Sequence, residues 1–300
     1  MVKYNLNNQP LVSVIINCHN GETYLYETIK SILNQTYKNF EVIFWNNKST
    51  DKSEYIYKNF KDRRLKYFSA KKFTSLYEAR NLAIKMSKGR YIAFIDCDDL
   101  WDNNKLSLQI RKFKNKNIKL VYSNYYFLNQ ITGFKKIFCK EKLPTGIIYK
   151  ELLKNYPISI CTVIIKKEVF KKNKFNKRYN IIGDFDLFAR ISKSNYFAVI
   201  QKPLSIYRIH NKSFSNRNFS LHIKELKFWL KNQTIFKKKD LFYIKEKIFY
   251  MEAIFYLLKK KKNLAIKKIF KISSYKTKIK FFLFLLIPNY FLGKLKENFS

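Results

Sequence analysis

The sequence predicts an α/β fold: a mostly parallel central sheet flanked by helices, followed by a helical C-terminal extension. Two observations carry this. Short runs rich in β-branched and aromatic residues alternate with segments of helical spacing through the first third of the chain. Polar residues gather just after those runs, at the strand ends where open parallel sheets bind ligands.

Each element follows from its residues. Leu11–Ile16 is a continuous apolar run of strand length, as a strand buried on both faces requires. Asn20-Gly21 marks a loop, and Tyr24, Leu25, Ile29, Ile32 and Leu33 then recur at helical spacing. Phe40–Trp45 is a second strand, and the polar stretch Asn46–Asp51 closes it, with Ser49 or Asp51 placed to cap a helix. Leu65–Phe68 is a third, short strand. Leu76–Met86 reads as a helix with Leu76, Ala79, Leu82, Ala83 and Met86 on one face and Gly89 as its stop. Tyr91–Ile95 is a fourth strand that runs straight into Asp96-Cys97-Asp98-Asp99. Beyond it, Leu120–Leu128 and Thr162–Ile165 read as strands and Asp184–Ile191 as a helix. From about residue 219 the chain reads as helical and lysine-rich.

Composition narrows the function classes. The chain of 300 residues carries 61 Lys+Arg against 21 Asp+Glu, a field that attracts anions. Lys, Asn, Ile, Tyr and Phe are abundant together, which fits an AT-rich coding bias better than a dedicated polyanion site. No nucleic-acid-binding motif is present, so nucleic acid is not expected as a partner. The four cysteines form no Cys-x-x-Cys pair, which argues against zinc and fits a reducing cytoplasm. Met1–Pro10 is polar and lacks the apolar core of a signal peptide. No uncharged apolar stretch reaches the ~20 residues of a transmembrane helix.

The chemistry-bearing residues stand at strand ends. Asp96, Asp98 and Asp99 crowd one turn, and their mutual repulsion is relieved by a shared cation. A few carboxylate oxygens suit Mg²⁺ or Mn²⁺, with substrate phosphates completing the shell. The alternative is a solvated acidic turn in which Asp99 caps a helix beginning near Trp101. Asp184 and Asp186 offer either a general base or helix-start acids favoured by the dipole. The loop after the first strand holds one glycine, which argues against a glycine-rich phosphate loop and a nucleotidyltransferase.

At this point the chain resembles glycosyltransferase family 2, an inverting family with the GT-A fold, over about residues 10–215. The resemblance is carried by Pro10–Ile16, by Ile32–Ile43, by Ser49-Thr50-Asp51, by Ala79-Arg80-Asn81, by Phe94–Asp99 and by Tyr207-Arg208-Ile209-His210, in that order. It implies a catalytic domain over 1–218, with 10–115 holding the nucleotide sugar and 116–218 the acceptor, and a basic helical region over 219–300. It implies Asp98 and Asp96 as metal ligands, with Asp96 also on the ribose. Arg80 would lie near the base, His210 near the diphosphate, and Asp184 would be the catalytic base. Asn20, Asn46 and Asn47 would line the nucleotide. Two departures stand out. Gly183 occupies a place where the family usually has Glu, and Asn46-Asn47 replaces the acids that often read uracil. The implied donor is a nucleotide sugar, a UDP-sugar first, with Mg²⁺ or Mn²⁺ as cofactor. The implied acceptor is a glycan or lipid-linked hydroxyl in cell-surface polysaccharide synthesis.

The lysines from Lys259 to Lys280 precede Phe281–Ile287. That arrangement reads as an anchor on the anionic inner face of the cell membrane or as a helix packed by its apolar face. Both readings stay open at this level.

Overall fold

The computed structural model describes residues 9–211 and 213–286. It divides into two units, one comprising Met1–Leu152 and Tyr156–His210, the other Leu153–Asn155 and Asn211–Ser300.

The first unit opens as the sequence predicts. Strands β1 (Val12–Cys18), β2 (Phe40–Asn46), β3 (Leu65–Ser69) and β4 (Tyr91–Asp96) alternate with helices α1 (Glu22–Leu33), α2 (Ser53–Asn59) and α3 (Leu76–Met86). All three strand pairings here are parallel: β1 with β2, β1 with β4, and β2 with β3. Along β1 the side chains of Val12, Val14, Ile16 and Cys18 join one core with Leu25, Ile29 and Ile32 of α1. That pattern is the period-2 alternation of a strand meeting the apolar stripe of a helix. On the other face Phe94 packs edge-on against Phe170 and Phe175.

Helix α3 buries a different face from the one its Leu and Met residues suggest. Tyr77, Ala79, Arg80, Ala83 and Ile84 are buried, while Met86 is exposed. Ser75 caps it by accepting a hydrogen bond from Glu78 N. The helix gives way at Ser87, two residues before the predicted stop at Gly89.

After β4 come β5 (Leu100–Trp101), α4 (Lys105–Lys112), β6 (Ile118–Asn129), β7 (Lys135–Ile137), α5 (Tyr149–Lys154), β8 (Ile164–Lys166), α6 (Gly183–Ser192) and β9 (Tyr196–Ile209). The sheet runs β3-β2-β1-β4-β8-β6-β9-β5, with β7 on β6. β8 lies antiparallel to both β4 and β6, so the second half of the sheet is mixed rather than parallel.

Two features differ from the sequence reading. No helix begins near Trp101. Leu100 and Trp101 instead pair with Ile206 and Ser205 of β9, and the Trp101 indole donates to Cys161 O at 2.8 Å. Strand β9 itself was not legible, because Gln201-Lys202-Pro203 interrupts its apolar pattern. The ladder absorbs that interruption as a register shift, with Ser123 opposite Ile200 and Asn124 opposite Pro203.

The second unit is helical: α7 (Phe214–Arg217), α8 (Phe219–Lys231), α9 (Phe242–Leu258), α10 (Lys262–Ile269) and α11 (Tyr275–Leu286). Ala253, Ile254, Leu257, Ala265, Ile269, Ile272 and Phe281 form its core. Phe281 is buried there against the Tyr250 ring. No helix among the described residues is long and apolar enough to cross a membrane. Ile287, the end of the apolar stretch singled out above, lies outside the described residues.

Candidate active site

The carboxyl ends of β1, β2 and β4 lie side by side, because Asn17 is in register with both Trp45 and Asp96. Just beyond them the chain turns through Asp96-Cys97-Asp98-Asp99, closed by Asp99 N donating to Asp96 O at 3.2 Å. The Thr28 hydroxyl of α1 lies 3.0 Å from Cys97 O and 2.9 Å from Asp99 O, so its one proton is shared between them. The acidic turn is therefore held from below by a helix.

Its three carboxylates have different surroundings. Asp99 is buried, and its Oδ1 accepts from Arg208 N at 3.0 Å while Oδ2 has no hydrogen-bond partner among the described residues. Burial, then the neighbouring Asp98 and Asp96, push it well above the ordinary carboxylate range. Asp99 thus supports the turn from inside rather than capping a helix. Asp96 Oδ1 accepts from Arg80 Nη2 at 2.6 Å. Burial raises it, Arg80 pulls it back, and Asp98 raises it again. Asp98 remains partly exposed, with Oδ2 at 2.9 Å from His210 Nε2. His210 follows β9 and stacks its ring on Tyr24 at 4.7 Å. Because the Asp98 side chain is partly exposed, this carboxylate is open to a ligand from solvent. No group of three or more His, Cys, Asp or Glu side chains is placed to hold a metal among the described residues. The turn fits a hard cation that takes one or two carboxylates from the protein and the rest from phosphate and water.

Arg80 connects this turn to the second acidic pair. Its guanidinium is buried, 5.2 Å from the Tyr77 ring centroid and 5.9 Å from that of Phe175. Burial works against its charge, but Asp96, Tyr77 and Asp184 outweigh that and hold its pKa up. The Tyr77 hydroxyl donates to Ile181 O at 2.7 Å and lies 3.2 Å from Asp184 Oδ1. Asp96, Arg80, Tyr77 and Asp184 thus form one chain of contacts across α3.

Asp184 stands in the first turn of α6, with Oδ1 accepting from Phe185 N at 2.8 Å. Burial raises its pKa against the opposing pull of Arg80 and of Phe185 N. Asp186 is different: buried, and held by Arg190 Nε at 3.1 Å and Nη2 at 2.9 Å. Of the two acids, Asp184 is the one without an arginine clamp. Gly183 has a packing reason, since a Cβ there would stand 2.5 Å from the Tyr77 ring.

The asparagines are occupied by the protein itself. Asn46 donates to the Tyr67 hydroxyl and accepts from Ser49 N, both at 2.8 Å. Asn47 donates to Thr74 O at 2.8 Å and accepts from Thr74 N and Oγ1. Asn20 sits at φ 56° and accepts from Thr50 N at 2.8 Å. The structure brings Arg80, Asp96 and Asp184 into one network and joins Asp98 to His210. It places Asn20, Asn46 and Asn47 as pins of the loops beside them.

Several residues here escaped sequence reasoning. Tyr77 sits one helical turn before Arg80, a spacing that could have flagged it. Tyr156 is half-buried with its hydroxyl shielded from solvent, and its pKa is raised by burial and then by Asp184. Arg208, which the sequence marks only as part of a motif, is buried over the Tyr24 ring at 4.4 Å and pairs with Glu27 at 2.7 Å. No local sequence signal marks Tyr156, whose ring meets that of Phe185 in α6 at a centroid distance of 5.4 Å.

An open α/β sheet with an acidic turn at the end of its fourth strand is the arrangement of the GT-A fold. Solved structures agree on the fold. S. aureus TarS 1-349 in complex with UDP-GlcNAc superposes with a TM-score of 0.60 at 16% identity, over 86% of this chain and 79% of that one. The mannosyltransferase PcManGT from Pyrobaculum calidifontis, in complex with GDP-Man and Mn²⁺, gives 0.63 at 12% identity, over 98% and 86%. The family model for glycosyl transferase family 2 matches residues 13–174, more than half of the chain. The chain belongs to glycosyltransferase family 2, and is a transferase. It is 34% identical over 72% of its length to an Escherichia coli enzyme, UDP-Glc:alpha-D-GlcNAc-diphosphoundecaprenol beta-1,3-glucosyltransferase WfgD, covering 83% of that protein.

Proposed function

We propose that this transferase moves a sugar from a nucleotide sugar, a UDP-sugar first, to a hydroxyl of a lipid-linked glycan, with inversion and with a divalent cation. The observation that carries the reading is the chain Asp96–Arg80–Tyr77–Asp184. It ties an acidic turn suited to a metal–diphosphate to one half-buried carboxylate with a raised pKa. The E. coli relative's substrates support a UDP-sugar donor and a diphosphoundecaprenol-linked acceptor. Assembly of a cell-surface polysaccharide is the setting that such an acceptor suggests.

In this reading Asp98 holds the cation, and Asp96, oriented by Arg80, faces the donor beside it. Bound there, Mg²⁺ or Mn²⁺ would offset charge on the departing nucleoside diphosphate. His210 fixes Asp98 through its Nε2 and lies where it can meet a diphosphate oxygen. Asn20, Asn46 and Asn47 shape the nucleotide wall, mainly by fixing backbone. Asp184 accepts the proton of the acceptor hydroxyl as that oxygen attacks the anomeric carbon. A single base opposite the leaving group gives inversion. Asp186 is locked to Arg190 and is not available as a second nucleophile. The helical unit carries exposed Phe270 and Tyr275 among its lysines, a surface suited to peripheral contact with anionic lipid on the cytoplasmic side.

The test uses full-length protein with a panel of UDP-, GDP- and dTDP-sugars, with Mn²⁺, Mg²⁺ or EDTA. Thermal stabilisation by one nucleotide class that requires metal and is lost in Asp98→Ala is expected. Asp184→Asn should keep that stabilisation and lower the transfer rate by about 10²–10⁴-fold. A product with retained anomeric configuration, or an Asp184→Asn enzyme of wild-type rate, would overturn the mechanism.

A further inference from the structure

Cys18 and Cys97 lie apart in sequence and meet in the fold. Cys18 is the last residue of β1, and Cys97 is the first residue after β4. The two strands are parallel neighbours with Asn17 opposite Asp96, so Cys18 and Cys97 occupy the next rung. Residues on one rung of paired strands share a face and stand one strand spacing apart, about 5 Å, within the 4.4–6.8 Å that a disulfide spans. The sulfurs confirm the shared direction. A Cβ on Gly21 would stand 2.9 Å from Cys18 Sγ and 2.6 Å from Cys97 Sγ. Both thiols are therefore packed over the one residue that leaves them room. Both are free thiols.

Their accessibility differs in a useful way. Cys97 is partly exposed and Cys18 is buried. An oxidant reaches Cys97 first, and Cys18 is already in place to resolve the product. Cys97 is also the central residue of the acidic turn, between Asp96 and Asp98, with its carbonyl held by Thr28.

We propose that Cys18 and Cys97 are a redox modification site, closed to a disulfide by hydrogen peroxide, and that closure clamps the acidic turn to β1 and weakens donor binding. The Cys97 sulfur attacks the peroxide oxygen, forming a sulfenic acid and releasing one water. The Cys18 sulfur then attacks the Cys97 sulfur, the S–S bond forms, and the second water leaves. Two thiols give up two electrons and two protons, and the O–O bond of the peroxide takes them. A dithiol reverses the step by exchange. Transient closure of this kind is the usual form of a disulfide in a reducing compartment. The effect on donor binding rests on the function proposed above; the closure itself does not.

Full-length protein is treated with hydrogen peroxide, alkylated, digested and mapped by mass. The expected result is a cross-linked Cys18–Cys97 peptide, reversed by dithiothreitol, with Cys139 and Cys161 alkylated or unreacted. Cys18→Ser should give no cross-link and should leave a sulfenic acid on Cys97 that dimedone traps. Cys97→Ser serves as a second variant should the first fold poorly. Cross-linking of Cys97 to Cys139 or Cys161, or full alkylation of Cys18 and Cys97 after oxidation, overturns the pair. With the cross-link formed, the affinity for UDP and Mn²⁺ should fall about tenfold, a typical coupling between sites. Equal affinity in both states overturns the clamp. If neither state binds any nucleotide, the donor reading fails, and the cross-link still decides the pair.

Discussion

Lys105→Met is expected to flatten the pH dependence of stability and to stabilise the fold near neutrality. Lys105 is fully buried at the start of α4, directly after the acidic turn and β5. Its Nζ donates to Gln109 Oε1 at 2.7 Å and lies 4.2 Å from the Trp101 ring centroid, with no carboxylate partner among the described residues. Burial lowers its pKa from 10.5 to about 7. The folded pKa lies below the unfolded one, so between about 7 and 10.5 the unfolded chain binds the additional proton. Stability then rises with pH across that window and levels off below it. Each unit is worth about 1.4 kcal/mol, so the wild type should gain about 2 kcal/mol between about pH 7 and about pH 9 through this residue. Methionine nearly conserves the volume and does not titrate, so the variant lacks that gain. It leaves Gln109 Oε1 short of a donor, at a cost of about 1–3 kcal/mol that does not vary with pH. Urea denaturation of both proteins under reducing conditions at the two pH values measures the difference of differences. A gap between the proteins that stays constant with pH would show that Lys105 is charged in the fold and would refute the argument.

Three further outcomes follow from the site. Transfer by the wild type should lose kcat/KM on the acid side with an apparent pKa above the ordinary carboxylate value of 3.8, because burial raises Asp184 and the base must be deprotonated; a pH–rate profile with no such limb counts against Asp184. Gly183→Ala should cost about 1–3 kcal/mol by overpacking against Tyr77 and should lower the transfer rate while nucleotide affinity holds; an unchanged melting temperature would show that the ring yields freely. Arg80→Met removes the partner of Asp96, which is about one-third exposed, so a loss of about 2 kcal/mol is expected, below the value for a fully buried pair; Asp96→Asn in the same background should restore part of it.

The sequence alone carried the first half of the fold. β1 to β4 and the helices between them follow from local periodicity, which burial on a parallel sheet imposes directly on the chain. The acidic turn was legible for the same reason, since it directly follows an unbroken apolar strand. Glycosyltransferase family 2 was legible from motifs in order, each short and local. What escaped was non-local. β9 is interrupted by Gln201-Lys202-Pro203, and only its ladder with β6 makes it a strand. Helix α3 turned out to bury Tyr77 and Arg80 because Asp96, Phe175 and Asp184 receive them from other elements. Which of Asp184 and Asp186 is clamped by an arginine depended on where Arg190 reaches, and the packing of Gly183 on a ring more than a hundred residues away. The meeting of Cys18 with Cys97 likewise depends on the register of β1 with β4. Local sequence fixes which backbone form a segment prefers, whereas the partners of a buried charge or thiol are set by packing between segments, and only the tertiary structure holds that information.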